Sequence, residues 1–265
     1  MHLENLTVEI EDWLEKAEEE ENLKFIRQDE SKPLEGTVVV EMLGYYGSVD
    51  RMITKEIQRM SQKTRKLAGF FSSYFNEMVQ IYSGEILLPI TILQSKIGSN
   101  EYIFTTSNFA IPDVISYRLS EELYRFYQQL KVAKIFLLDG VYNYKRNIKQ
   151  KPQVHRITSS DYQIEVKNKK PANFTLMGQI ASSFLTYWSY NGDIPIEIIA
   201  VDAFSDYDPI SSLELLKVLT QQWGIEANFN ELERRSQEFR QISKQSKKEI
   251  SAEEQKEGLD PRFFI

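Results

Sequence analysis

IPDVISYRLSEELYRFYQQL, residues 111–130, and AKIFLLDG, residues 133–140, set the architecture of this chain. In the first segment Ile111, Ile115, Leu119, Leu123, Phe126 and Leu130 recur at helical spacing and share one face. Pro112 falls in the first turn, where a missing N–H costs nothing. The second segment is a short, almost wholly apolar run that closes on Asp139-Gly140, the signature of a strand buried on both faces. A long helix between buried strands is a crossover, and crossovers join parallel strands. The chain is therefore expected to be built round a parallel sheet.

Upstream, Gly36–Leu43 (GTVVVEML) reads as another buried strand. Gly44-Tyr45-Tyr46-Gly47-Ser48 turns the chain into a helix over Val49–Ser61, with Val49, Met52, Ile53, Ile57 and Met60 as its apolar face. A strand, a glycine turn and a helix can cradle phosphate. This turn has neither the G-x-G-x-x-G order nor a following Gly-Lys-Ser/Thr, so it reads as a tight turn that needs glycine. Shorter strands are expected at Leu67–Ser72, Met78–Tyr82, Ile86–Leu93 and Glu101–Thr105.

Downstream, Tyr142–Lys151 reads as basic and exposed, and Val154–Ser159 with Tyr162–Lys167 as a hairpin. A helix follows over Leu176–Trp188, a buried strand over Ile194–Val201 and a helix over Ile210–Trp223 that opens after Asp208-Pro209. A last helix, Asn228 to about Lys244, has only the thin stripe Leu232, Phe239 and Ile242, which suits one-sided docking.

The two ends differ from this body. Residues 1–30 hold eleven acidic and three basic side chains, so they outweigh the whole chain's net charge of −7 and leave the rest near neutral. Leu6, Ile10, Leu14 and Ala17, with Trp13 beside them, suggest an amphipathic helix followed by the acidic run Glu18–Glu21. From about Ser243 to Glu257 the chain is nearly all Lys, Glu, Gln and Ser, a composition that cannot bury a core. Gly258 and Pro261 then precede Arg262-Phe263-Phe264-Ile265. Three units are expected: an acidic helical arm over 1–30, an α/β domain over 31–245, and a flexible charged arm over 246–265 that ends in an apolar tail.

The composition narrows the chemistry. Cysteine is absent, which excludes disulfides and thiolate chemistry, and the two histidines, His2 and His155, leave little for a triad or a metal site. The body has no basic surplus for nucleic acid. No apolar run is long enough to span a membrane and no signal-peptide pattern opens the chain, so a cytoplasmic location is expected. Ligands of α/β sheets gather at the carboxyl ends of the strands. Those ends offer Gly44–Gly47, Thr105–Asn108, Asp139-Gly140 and Asp202-Ala203-Phe204. Asp139 and Asp202 form a possible carboxylate pair, but carboxylates that close strands are more often turn or helix caps. No catalytic residue, cofactor or metal is assigned.

The order of these elements resembles the proteasome-assembly-chaperone family, in its second-chaperone-like branch. The resemblance rests on the Val38–Gly47 strand and turn, the Ile135–Gly140 strand end, Met177–Ile180, and above all Asp208-Pro209-Ile210-Ser211-Ser212-Leu213-Glu214-Leu215-Leu216. It covers about residues 35–245. It implies a three-layer α/β/α sandwich with a mostly parallel sheet, similar to the nucleoside phosphorylases, and a non-catalytic assembly chaperone or activator. It implies docking on the α-subunits of the proteasome core particle through a C-terminal hydrophobic-Tyr-any motif. Phe263 would be the hydrophobic residue, Phe264 would stand in the Tyr position without its hydroxyl, and Ile265 would carry the carboxylate. One three-residue tail binds weakly, so a homo-oligomer is expected to multiply it. Two other readings stand beside this one. One is an enzyme on nucleoside-like ligands that uses Tyr45, Asn108 and Asp139. The other is a scaffolding oligomer whose tail packs on itself.

Overall fold

The computed structural model describes residues 23–27, 33–43, 48–75, 80–82, 85–107, 109–143, 145–160, 163–166 and 179–257. The N-terminal half of the described chain runs β1 (Lys24–Arg27), β2 (Val38–Met42), α1 (Val49–Met60), β3 (Lys63–Phe71), β4 (Gln80–Tyr82), β5 (Glu85–Leu87), β6 (Ile90–Ile97) and β7 (Asn100–Ser107). It continues with α2 (Asp113–Leu130), β8 (Lys134–Tyr142), β9 (Val154–Ser160), β10 (Gln163–Val166), α3 (Gln179–Asn191), β11 (Ile196–Ala203), α4 (Pro209–Trp223) and α5 (Asn230–Glu257). Nine strands form one sheet in the order β1-β3-β6-β7-β2-β8-β11-β9-β10, and β4 pairs with β5 apart from it.

The crossover read from residues 111–140 is present: β7 leads through α2 into β8, and both lie parallel to β2 between them. β11 extends the parallel set on the far side of β8. The sheet as a whole is mixed rather than mostly parallel. Its four central strands are parallel, and β1, β3, β6, β9 and β10 add antiparallel pairings on both flanks. The cause is connection length. β6 and β7 meet through the tight turn at Gly98-Ser99, and so short a link permits only an antiparallel pair.

The two faces of the sheet follow from strand alternation. On β8, Ile135, Leu137 and Val141 enter one core while Phe136 and Leu138 enter the other. On β11, Ile196, Ile198 and Ala200 oppose Ile199 and Val201 in the same way. α2 and α3 cover the first face with Leu119, Leu123, Tyr127 and Phe184. α1 and α4 cover the second with Met52, Ile53, Leu215 and Leu219, and α5 docks Leu232 into that layer. The result is the expected three-layer sandwich. Among the described residues, no helix is long and apolar enough to cross a membrane.

Three local expectations differ from the structure. The acidic surroundings of Lys24–Arg27 place it in the helical arm, but it forms the edge strand β1 against β3. Phe25 supplies the reason, since its ring packs on Phe70 at 4.8 Å and Phe126 at 5.0 Å. Residues 1–22 lie outside the described residues. The charged run after Lys244 is helical as far as Glu257, because Lys, Glu, Gln and Ala cost little in a helix even with no core to bury. And the Tyr142–Lys151 segment is not wholly exposed, since Arg146 and Ile148 are buried.

Arg146 occupies a hub that explains the Asp208-Pro209-Ile210-Ser211-Ser212 segment. Its Nη1 donates to Asp208 Oδ2 at 2.6 Å, Ser211 Oγ at 2.7 Å and the Asp202 carbonyl at 2.5 Å. Asp208 also caps α4, its Oδ1 accepting from the Ser211 N–H at 3.1 Å, with Pro209 pre-set at the first helical position. Gly224, at φ 64, ends the helix in the left-handed conformation that glycine adopts without strain. Both charges are almost fully buried. Removing one partner leaves the other unpaired in the core, so Asp208→Ala should cost about 3–5 kcal/mol in urea unfolding. The double variant Arg146→Met, Asp208→Leu should recover much of that loss.

Candidate functional site

The four parallel strands end together at Met42, Ser107, Tyr142 and Ala203, and this carboxyl edge is where α/β folds place ligands. Of the residues that the sequence puts there, Tyr45 and Asn108 lie outside the described residues, as do Phe263, Phe264 and Ile265 of the tail. Asp139 and Asp202 are described, and both are buried. The Asp202 carboxylate meets His155 Nε2 at 2.9 Å. Burial pushes its pKa up, but hydrogen bonds from His155 and Asn143 outweigh that and hold it below the usual range. The acidic neighbour that Asp139 perturbs is Asp50, in the first turn of α1.

A buried residue missed by the sequence reading dominates this edge. Glu41 sits on β2 opposite Thr105 of β7 and Leu137 of β8, under α2. Its Oε2 accepts from the Tyr127 hydroxyl at 2.5 Å, and that hydroxyl lies 2.5 Å from Thr105 Oγ1. Its Oε1 has no hydrogen-bond partner. A carboxylate with one bare buried oxygen is costly, while a neutral acid is not. Burial accordingly pushes Glu41 up to about 8, despite the lowering hydrogen bonds from Tyr127 and Thr105. Burial likewise pushes Asp50 up to about 7, with Asp139 adding to the shift and Arg51 opposing it. The sequence signal is a lone Glu inside an otherwise apolar strand, Val38-Val39-Val40-Glu41-Met42.

The network ties β2, β7 and α2 together through Glu41 Oε2, the Tyr127 hydroxyl and Thr105 Oγ1. It has the form of an internal lock. Among the described residues, no three metal-ligating side chains come together.

The second feature of this edge is α5. It runs antiparallel to α4, with Ser236 Oγ donating to the Pro209 carbonyl at 3.1 Å. Phe239 then packs on Phe204 at 5.7 Å and Tyr207 at 5.8 Å, just where β11 ends. From Phe239 to Glu257 roughly 27 Å of helix follows at 1.5 Å per residue. α5 therefore continues past the point where β11 ends.

A mixed-sheet α/β/α sandwich with its strand-end carboxylates locked inside and a long final helix crossing that edge is the class this geometry defines. The chain belongs to the PAC2 family, whose model matches residues 51–246. Among curated proteins none matches it by sequence. Among solved structures it is similar to Pyrococcus furiosus PbaB, an archaeal proteasome activator, with a TM-score of 0.69 at 15% identity over 86% of this chain and 100% of that one. It is also similar to Pyrococcus furiosus PbaA, an archaeal homolog of proteasome-assembly chaperone, with a TM-score of 0.63 at 13% identity over 86% and 99%. A third similar fold is a Mycobacterium tuberculosis proteasome-assembly chaperone homologue, with a TM-score of 0.57 at 15% identity over 78% and 94%.

The buried acids make stability depend on pH. The folded state keeps a proton on Glu41 that the unfolded chain releases near 4.5, so this contribution is complete below 4.5 and is lost as pH rises to about 8. Within that window the loss should approach about 1.4 kcal/mol per pH unit for this group. Asp50 adds a parallel loss between 3.8 and about 7. Glu41→Gln, which keeps an acceptor for Tyr127 and cannot ionise, should lessen the fall of urea midpoint with pH across the window, leaving the part due to Asp50 below about 7. An unchanged slope would show that Glu41 ionises normally.

Proposed function

We propose that this protein is a non-catalytic, cytoplasmic proteasome-binding factor, an assembly chaperone or an ATP-independent activator. It docks on the α-ring of the core particle through Phe263, Phe264 and Ile265. The observation that carries the reading is membership of the PAC2 family over residues 51–246, joined to the likeness in fold to proteins named as a proteasome activator and an assembly-chaperone homolog. The chain's own residues support the tail: Phe263, Phe264 and Ile265 form an apolar end after a charged run.

In this mechanism the terminal carboxylate of Ile265 pairs with a basic group in a pocket between α-subunits, and the two phenylalanine rings fill its apolar walls. A single tail buries little surface, so several tails on one homo-oligomer bind together through effective concentration. Phe264 lacks a phenolic hydroxyl, and a hydrogen bond of that kind contributes about 0.5–1.5 kcal/mol. The Tyr127 hydroxyl is engaged by Glu41 inside the sandwich, which favours this binding role over an enzyme at the strand ends.

Co-sedimentation with proteasome core particles at low salt tests the tail. Deleting Phe263–Ile265 should abolish it, and Phe264→Tyr should tighten it about 2–10-fold. Undiminished binding by the truncated protein would sink the tail mechanism. A thermal-shift screen with nucleosides and nucleotides addresses the enzyme reading, and a clear upward shift would favour that reading instead.

A further inference from the structure

α1 sorts its charges by face. Its two acids, Asp50 and Glu56, are buried, and its three cations, Arg51, Lys55 and Arg59, are exposed. The cations recur at i, i+4 and i+8, so they form one row about 12 Å long on the outward side of the helix. The remaining exposed residue of α1 is Gln58. Arg59 reaches the buried Glu56 at 2.6 Å while its own side chain stays 55% exposed. Among the described residues, neither Arg51 nor Lys55 takes part in a salt bridge. α2 and α5 set cations beside acids instead. On α2, Arg118 and Arg125 bridge to Glu121 and Glu122. On α5, Arg234 and Arg235 bridge to Glu231, and Arg234 to Glu238 as well.

The stability of α1 does not account for this row. Like charges four residues apart on a helix repel, and both Arg51/Lys55 and Lys55/Arg59 are such pairs. Arg59 in the last turn suits the helix dipole, but Arg51 stands in the first turn, where the dipole disfavours a cation. Arg51 does act on the buried Asp50, holding its pKa down against the effect of burial. Lys55 has no carboxylate beside it among the described residues. A row set against local preference marks a surface held for a partner. The partner that fits is a protein surface with carboxylates in line. A second copy offers little, because Glu121, Glu122, Glu231 and Glu238 are already bridged to arginines of their own helices. Nucleic acid would find three cations on a chain of net charge −7.

We infer that the outward face of α1 is a second contact surface for the proteasome core particle, with Arg51, Lys55 and Arg59 meeting a row of carboxylates on an α-subunit. This rests on the proteasome-binding reading proposed above. A three-residue tail is a small contact on its own. A charged contact on the folded body adds to it through effective concentration. Such a contact also fixes register and speeds encounter more than it raises intrinsic affinity, and salt screens it.

Amine acylation of the full chain reads the row directly. In the free protein Lys55 should react as fast as the exposed Lys149, and saturating core particles should slow it about fivefold or more. The double variant Arg51→Glu, Lys55→Glu should keep the wild-type urea midpoint, since both side chains are exposed. Its co-sedimentation with core particles at low salt should weaken about tenfold. Wild-type binding should fall as salt rises, and binding of the variant should fall less. Equal binding by variant and wild type would overturn the second contact and leave the tail reading standing. A wild type that does not bind core particles would overturn both. A Lys55 that is already slow in the free protein would overturn the inference in favour of cover by its own chain or a second copy.

Discussion

Four parallel strands with apolar side chains on both faces cannot stand in water on either side, and everything else in this molecule answers to that constraint. β7, β2, β8 and β11 are buried front and back, so each face needs a helical layer. The crossovers supply those layers without extra chain: α2 and α3 fall on one face, α1 and α4 on the other. The antiparallel flanks then extend a sheet whose centre is already closed.

The same constraint makes polar groups within the strands expensive, and the structure handles them in two ways. Asp208 and Arg146, beside the strand ends, form a charged pair supported by a backbone carbonyl, a hydroxyl and a helix N-terminus, with only Arg146 Nη2 left without a hydrogen bond in this hub. Glu41 is kept neutral instead and shares short contacts with Tyr127. The first arrangement holds the loop after β8 to the start of α4. The second holds α2 to the middle of the sheet. Both lie near the carboxyl edge, where an enzyme of this architecture would leave its polar groups facing a ligand. Here Tyr127 donates to Glu41 and His155 meets Asp202.

Much of this architecture is legible in the chain itself. The crossover at 111–140, the helix that opens at Asp208-Pro209 and the hairpin after Val154 all follow from local periodicity and turn chemistry, and they occur close to where those signals put them. Legibility fails where a tertiary partner overrides local character. Phe25 pulls an acidic stretch into a strand because Phe70 and Phe126 receive its ring. Arg146 lies in a loop of surface composition and is buried because Asp208, sixty-two residues later, needs a cation. Glu41 escapes notice because the apolar pattern of its strand outweighs a single exception. The proposed docking residues Phe263, Phe264 and Ile265 lie outside the described residues, so their part rests on residue type and position in the chain alone.

The continuity of α5 has a consequence for how this protein could evolve. A coil between the domain and its last residues would tolerate insertions of any length, with only reach at stake. A helix adds angle to reach: each residue gained or lost after Phe239 swings everything beyond it by about 100° around the axis. Changes of one or two residues would turn the chain's end to a different side, whereas changes of about seven would restore its bearing almost fully. The spacing between Phe239 and Glu257 is thus a matter of phase as well as distance, and related chains should vary there in steps that respect the helical repeat.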